Sequence, residues 1–181
     1  MPDSTMGQMT RQIPELETAR LRLRAHRADD FETCLAIWSS PEVTRFIGGR
    51  PFNAEEVWDR LMRYAGFWSL LGFGYWAVEE KDSGRYIGDI GFTDLKRDIE
   101  PRLDGMLEFG WVLAPQAHGK GYASEVVAAV IDWGQAHFTD RRAVCIISPD
   151  NLASIRVAEK AGFQRLQETT YHGKPTVIFS R

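Results

Sequence analysis

The stretch Trp111-Val-Leu-Ala-Pro-Gln-Ala-His-Gly-Lys-Gly-Tyr-Ala-Ser-Glu125 reads as the end of a strand, a glycine-containing turn and the first turn of a helix. Met106 to Leu113 is dense in apolar and aromatic residues, and Pro115 ends that strand because it has no N–H to give to a ladder. Beyond the turn, Ala123, Val127, Val130 and Gly134 recur at helical spacing. Gly119 and Gly121 let the backbone turn sharply and let a ligand approach it closely. The first N–H groups of the helix have no internal partner, and the helix dipole draws anions to that end. A phosphate or diphosphate suits such a turn. A tight connection that holds no ligand uses the same glycines.

Toward the N-terminus, Leu21 and Leu23 alternate with Arg20, Arg22 and Arg24, which predicts a first strand with one buried face. Asp29 or Asp30 is placed to cap a helix through Phe31, Leu35 and Trp38, ended by Ser40-Pro41. Asn53, with Glu56 at the capping-box position, opens a second helix to about Ser69, which Gly72 and Gly74 break. Tyr75–Glu80 and Arg85–Asp94 read as a hairpin around Lys81-Asp-Ser-Gly84, and a charged loop, Lys96–Asp104, leads back to Met106. Downstream come a strand at Ala143–Ile147, a short helix at Asn151–Ala161 with Gly162 in the left-handed position after it, and two closing strands that turn at His172-Gly173. The order predicts an α/β (α+β) fold with helices on both faces of a mixed sheet. Residues 15–181 read as a single domain behind a flexible N-terminal tail, 1–14.

Two phosphate-binding signatures fail on particular residues. A P-loop needs Gly-Lys followed directly by Ser or Thr, and Lys120 is followed by Gly121. A dinucleotide fingerprint needs a third glycine, where Ser124 stands, and an early place in the chain. His118-Gly-Lys-Gly-Tyr-Ala123 instead resembles the acyl-CoA pyrophosphate loop of the GNAT N-acetyltransferases, Gln/Arg-x-x-Gly-x-Gly/Ala, with His118 departing at the first position. Asn151-Leu-Ala-Ser-Ile-Arg-Val-Ala-Glu-Lys-Ala-Gly-Phe163 resembles the family's Asn-x-x-Ser/Ala…Glu-Lys-x-Gly-Phe segment. The resemblance covers roughly residues 18 to 180 and is nearest to the branch that includes ribosomal-protein N-terminal (Rim-type) acetyltransferases.

The resemblance implies a mostly antiparallel central sheet in which two parallel strands, Met106–Leu113 and Ala143–Ile147, splay apart around a thioester arm. It implies acetyl-CoA as co-substrate, its diphosphate on the main chain of His118, Gly119, Lys120, Gly121, Tyr122, Ala123 and Ser124. The N–H groups of Trp111 and Leu113 would meet the acetyl carbonyl and the pantetheine amides. Asn151 would pair with those amides, cap its helix, or do both. Acetyl would pass to a primary amine by direct attack in a ternary complex; the alternative is a non-catalytic acyl-CoA-binding module. Glu108, on an otherwise apolar strand, is the candidate proton acceptor, since burial would raise its pKa; a charge at the cavity mouth, with a water chain as base, is the other reading. Ser154 is the candidate partner of the leaving sulfur, because Ala158 stands where much of the family has a Tyr; it could equally satisfy a helix-start N–H. Trp38, Phe46, Trp68, Trp76 and Phe92 are candidates for an acceptor pocket, with most of them expected in the core.

Composition narrows the partners. The 181 residues carry 44% apolar and 26% charged residues and a net charge of −3, which gives no reason to expect nucleic acid. Cys34 and Cys145 form no Cys-x-x-Cys pair, so no metal site or disulfide framework is expected, and Val144 and Ile146 mark Cys145 as core. No apolar run reaches the roughly 18 residues that span a bilayer, and residues 1–14 lack the apolar core of a signal peptide. A cytoplasmic protein is expected, with a peptide or small-molecule amine as acceptor; a homodimer is left open. Glu42, Glu55 and Glu56 are the early carboxylates that could attract a cationic acceptor.

Overall fold

The computed structural model describes residues 12–181. Its strands are β1 (Leu16–Glu17), β2 (Leu21–Arg24), β3 (Tyr75–Glu80), β4 (Tyr86–Thr93), β5 (Leu107–Leu113), β6 (Ala143–Ile147), β7 (Gln164–Tyr171) and β8 (Lys174–Ser180). Its helices are α1 (Phe31–Trp38), α2 (Pro41–Thr44), α3 (Ala54–Leu71), α4 (Tyr122–His137) and α5 (Leu152–Lys160). The strands form one sheet in the order β1-β2-β3-β4-β5-β6-β8-β7, antiparallel except for β5 and β6. This is the mixed, mostly antiparallel sheet that the sequence predicts.

The two faces are covered by different helices. Leu21, Leu23, Trp76, Ile90, Phe92 and Phe109 meet Val126, Val127 and Val130 of α4 in the main core. On the opposite face Ala77, Tyr86 and Ala114 meet Cys34, Ile37 and Trp38 of α1 and Val57 of α3. Of the expected tail, residues 1–11 lie outside the described residues. Ile13 packs on the main core, and the Trp76 indole N–H donates to the Pro14 carbonyl at 2.7 Å.

The caps follow the sequence where they are local. Asn53 accepts from the Glu56 N–H at 2.9 Å while Glu56 accepts from the Asn53 N–H at 2.9 Å, a closed capping box. Two expectations are corrected. Arg24 is not on an open face: its guanidinium is buried against Asp30, with two bonds of 2.8 Å, and Glu79, with one of 2.7 Å. Asp30 therefore stands at the start of α1 without capping it by its side chain. Pro41 does not only end α1; it opens α2, since a proline at the first helical position lacks an N–H that would go unused anyway.

The Arg24–Asp30 pair sets an acid limit. Burial pushes the Asp30 carboxyl up, but bonds from Arg24 and the Arg27 N–H more than reverse this and hold it below its usual 3.8. A depressed carboxylate stabilises the fold above its unfolded pKa and loses that contribution as pH falls through the folded pKa. Urea midpoints are thus expected to fall below pH 3.8, and Asp30→Asn is expected to remove part of that dependence.

Candidate active site

β5 and β6 pair only at Leu107–Ala143 and Glu108–Val144. Past those residues β5 stays with β4 as far as Leu113, and β6 stays with β8. The Leu107 N–H reaches across to Arg142 O at 2.9 Å, while the Ala114 N–H donates to Ile87 O of β4 at 2.8 Å. Alternation along an antiparallel strand then turns the Trp111 and Leu113 N–H groups toward the side that β6 has left. A cavity of about 640 Å³ passes through this opening. On one side it meets Ile147, Ser148, Asn151 and Ser154; on the other, Glu108, Gly110, Tyr75 and Tyr64. A Cβ at Gly110 would meet the Tyr75 hydroxyl, so that ring would have to shift to admit any other residue.

A glycine turn follows β5 and leads into α4. Gly119 and Gly121 have φ of +74° and +79°, the left-handed region that favours glycine. The first bond at the start of α4 is Glu125 N–H to Gly121 O, at 3.2 Å. Among the described residues, no acceptor takes the N–H groups of Gly119, Lys120, Gly121, Tyr122, Ala123 or Ser124. The turn is fixed from below. The Arg20 guanidinium donates to Lys120 O at 2.9 Å and holds Glu125 at 2.7 Å, and Thr18 also donates to Glu125, at 2.6 Å. The Tyr122 hydroxyl donates to Glu80 at 2.7 Å.

The predicted side chains fall into two groups. Glu108, Trp111, Asn151 and Ser154 share the cavity. Asn151 caps α5, accepting from the Ser154 N–H at 3.2 Å, so its amide nitrogen stays available. That bond uses the main chain of Ser154 and not its hydroxyl. The His118 ring turns back to β5, with Nε2 2.9 Å from Leu113 O and Nδ1 3.6 Å from Glu42. The Leu113 carbonyl is therefore engaged and only its N–H is left for a ligand. Lys120 Nζ lies 3.8 Å from Glu80. Of the five candidate aromatics, Trp38 and Phe46 line the cavity; Trp68, Trp76 and Phe92 are buried in the main core. Cys145 is buried at the cavity floor, and burial pushes its thiol up. None of Glu42, Glu55 and Glu56 lines the cavity, and Glu56 pairs with Arg50.

Sequence reading missed two partners. Arg97, in the charged loop before β5, donates from Nε to both Glu108 oxygens at 2.7 and 2.8 Å and from Nη1 to the Tyr171 hydroxyl at 3.0 Å. Burial raises the Glu108 carboxyl above its usual 4.5 although Arg97 pulls it down. Asp89 is 1% exposed and accepts from Trp38, Tyr64 and Tyr86 at 3.2, 3.3 and 2.6 Å; His26 Nε2 lies 2.7 Å away. An apolar residue before Asp89 and another after it, Ile87 and Ile90, were the available signal of burial.

A family model described as an acetyltransferase (GNAT) domain matches residues 20–164. The chain belongs to the GNAT acetyltransferases. The uncharacterized N-acetyltransferase YoaA of Bacillus subtilis (strain 168) is 31% identical over 154 residues, 84% of each protein. A putative GNAT-family acetyltransferase from Bordetella pertussis superposes with a TM-score of 0.82 at 26% identity, covering 93% of this chain and 99% of that one. The RimL ribosomal L7/L12 alpha-N-protein acetyltransferase, solved in complex with coenzyme A, has a TM-score of 0.74 at 17% identity, covering 93% and 97%, and shares the fold. Among its described residues this acetyltransferase has no helix long and apolar enough to cross a membrane, and no group of three His, Cys, Asp or Glu placed to hold a metal.

Proposed function

We propose that this acetyltransferase binds acetyl-CoA with its diphosphate on the N–H groups of residues 119–124 and passes the acetyl group directly to an amine. One observation carries this reading: among the described residues no acceptor takes the N–H groups at the start of α4, on the turn that directly follows β5, the strand that parts from β6. The pantetheine arm would enter the gap between those strands beside the Leu113 N–H and the free amide nitrogen of Asn151. The amine nitrogen forms a bond to the acetyl carbonyl carbon, and the carbonyl oxygen gains charge against the Trp111 N–H. A donor placed there is worth roughly two to three orders of magnitude in rate. The C–S bond then breaks, with the Ser154 hydroxyl available to the thiolate. The ammonium proton leaves to Glu108, directly or through water.

Glu108 suits that task only in part, because Arg97 holds both of its oxygens. A water chain that ends on the Glu108–Arg97 pair meets the same need without breaking it. The reading is tested by thermal unfolding with acetyl-CoA, NAD and ATP, followed by thiol release with a range of amines. Acetyl-CoA at 100 times its Kd should add about 2.7 kcal/mol, and the nucleotides should add nothing comparable. Stabilisation by NAD or ATP alone would overturn the reading, and binding of acetyl-CoA without thiol release would leave an acyl-CoA-binding module.

A further inference from the structure

The acceptor side of the cavity is strongly cationic. Its lining carries five cationic side chains, Arg45, Arg60, Arg63, Arg97 and Lys174, against two carboxylates, Asp89 and Glu108. Both carboxylates are already engaged, Glu108 by Arg97 and Asp89 by its ring of donors. Among the described residues, no carboxylate lies within ion-pair distance of Arg45, Arg60 or Arg63.

Arg60 and Arg63 stand on one face of α3 with Tyr64 and Phe67, which follows from their spacing. The Arg60 guanidinium lies 3.8 Å over the Trp38 ring and 5.1 Å from the Phe52 ring, so two aromatics fix its plane. Its Nε is buried and has no hydrogen-bond partner among the described residues. A buried donor left unsatisfied costs free energy that a ligand acceptor can restore. Arg63 is exposed as a residue, yet partial desolvation of its guanidinium and the like charges of Arg60 and Arg97 lower its pKa, which marks a site short of negative charge.

We propose that the amine acceptor carries an oxyanion, a carboxylate or a phosphate, which Arg60 and Arg63 hold against the α3 wall of the cavity. This rests on the acetyl-transfer reading above for the role of the bound amine. Planar guanidinium forks match both oxyanions in two-point contact. The same cations disfavour a second positive charge nearby, so they shift the bound ammonium toward the free amine that attacks. Polyamines and aminoglycosides, with several ammonium groups each, are poor matches.

The test is a matched panel in the thiol-release assay: an ω-amino acid, the corresponding aminophosphonate, the neutral amino amide and the diamine. The expected kcat/KM is at least about tenfold higher for the two anionic amines than for the amide, with the diamine lowest; the ratio of the anionic pair shows which oxyanion fits. Arg60→Gln/Arg63→Gln should erase that preference through KM for the amine and leave KM for acetyl-CoA in place. Arg63→Gln alone, at an exposed position, serves if the double variant fails to fold. Equal or better turnover of the amide or diamine, or a preference that survives both variants, overturns the proposal. If no amine releases thiol, acetyl transfer fails as the reading. Glutarate titrated into the protein in the presence of CoA then decides the oxyanion site separately: binding lost on Arg60→Gln/Arg63→Gln keeps it, and no binding to the unaltered protein removes it.

Discussion

In Gly121→Val, acetyl-CoA affinity is expected to fall by roughly two to four orders of magnitude while the fold persists. Gly121 is the residue before α4 and has φ of +79°. A β-branched residue is a genuine outlier there, and holding it costs about 1–3 kcal/mol. The turn can relieve that strain by rotating, which redirects the N–H groups of Gly119–Ser124. Each charge-assisted bond lost to a diphosphate is worth about 1.5–3 kcal/mol, so losing two gives the stated range. The fold should survive because, among the described residues, a Cβ at Gly121 meets only Arg20 Nη2, at 3.6 Å, and no core atom. Each kcal/mol of strain then lowers Tm by about 2–4 °C in a chain of this size. Calorimetric titration with acetyl-CoA and a thermal melt on the same sample separate binding from folding. Wild-type affinity in a folded Gly121→Val protein would place the diphosphate elsewhere.

That prediction could be written from sequence because everything it uses is local. A positive φ at a glycine, an asparagine three residues before a glutamate and a proline after a strand act over a few residues, and β5, α3, β6 and the His172-Gly173 turn follow the pattern closely. Polar burial is not local. Alternation assigns Arg24 to an open face, yet Asp30 and Glu79, which bury it, lie six and 55 residues away. The five candidate aromatics carry no mark that separates Trp38, beside the cavity, from Trp76, in the core. His118 fills a motif position that suggests phosphate, and its ring goes to the Leu113 carbonyl because the 3-10 turn at Pro115–Ala117 folds it back. The cations of the acceptor side come from α3, from the segments around Arg45 and Arg97, and from β8, so only the folded chain gathers them.

Arg97→Ala is expected to destabilise the protein by about 3–5 kcal/mol, the usual cost of leaving one member of a buried ion pair alone. The Glu108 side chain is 6% exposed and Arg97 is its ion-pair partner within 4 Å among the described residues. The pH dependence has a definite sign. Burial raises the folded Glu108 pKa above 4.5, against the pull of Arg97. A carboxyl raised in this way contributes stability that is fully present below the unfolded pKa and is lost as pH rises through the folded pKa. Removing Arg97 removes the pull, so the folded pKa climbs further and more stability is lost at high pH. Urea unfolding should show the deficit of Arg97→Ala smallest near pH 4.5 and growing as pH rises above it. Arg97→Ala/Glu108→Gln should recover much of it at high pH, since the neutral amide carries no charge to desolvate. A deficit that stays constant with pH would mean that Arg97 acts through its bond to Tyr171 and its packing. In that case Glu108 is not held charged by its neighbour, and it could take the ammonium proton without giving up an ion pair.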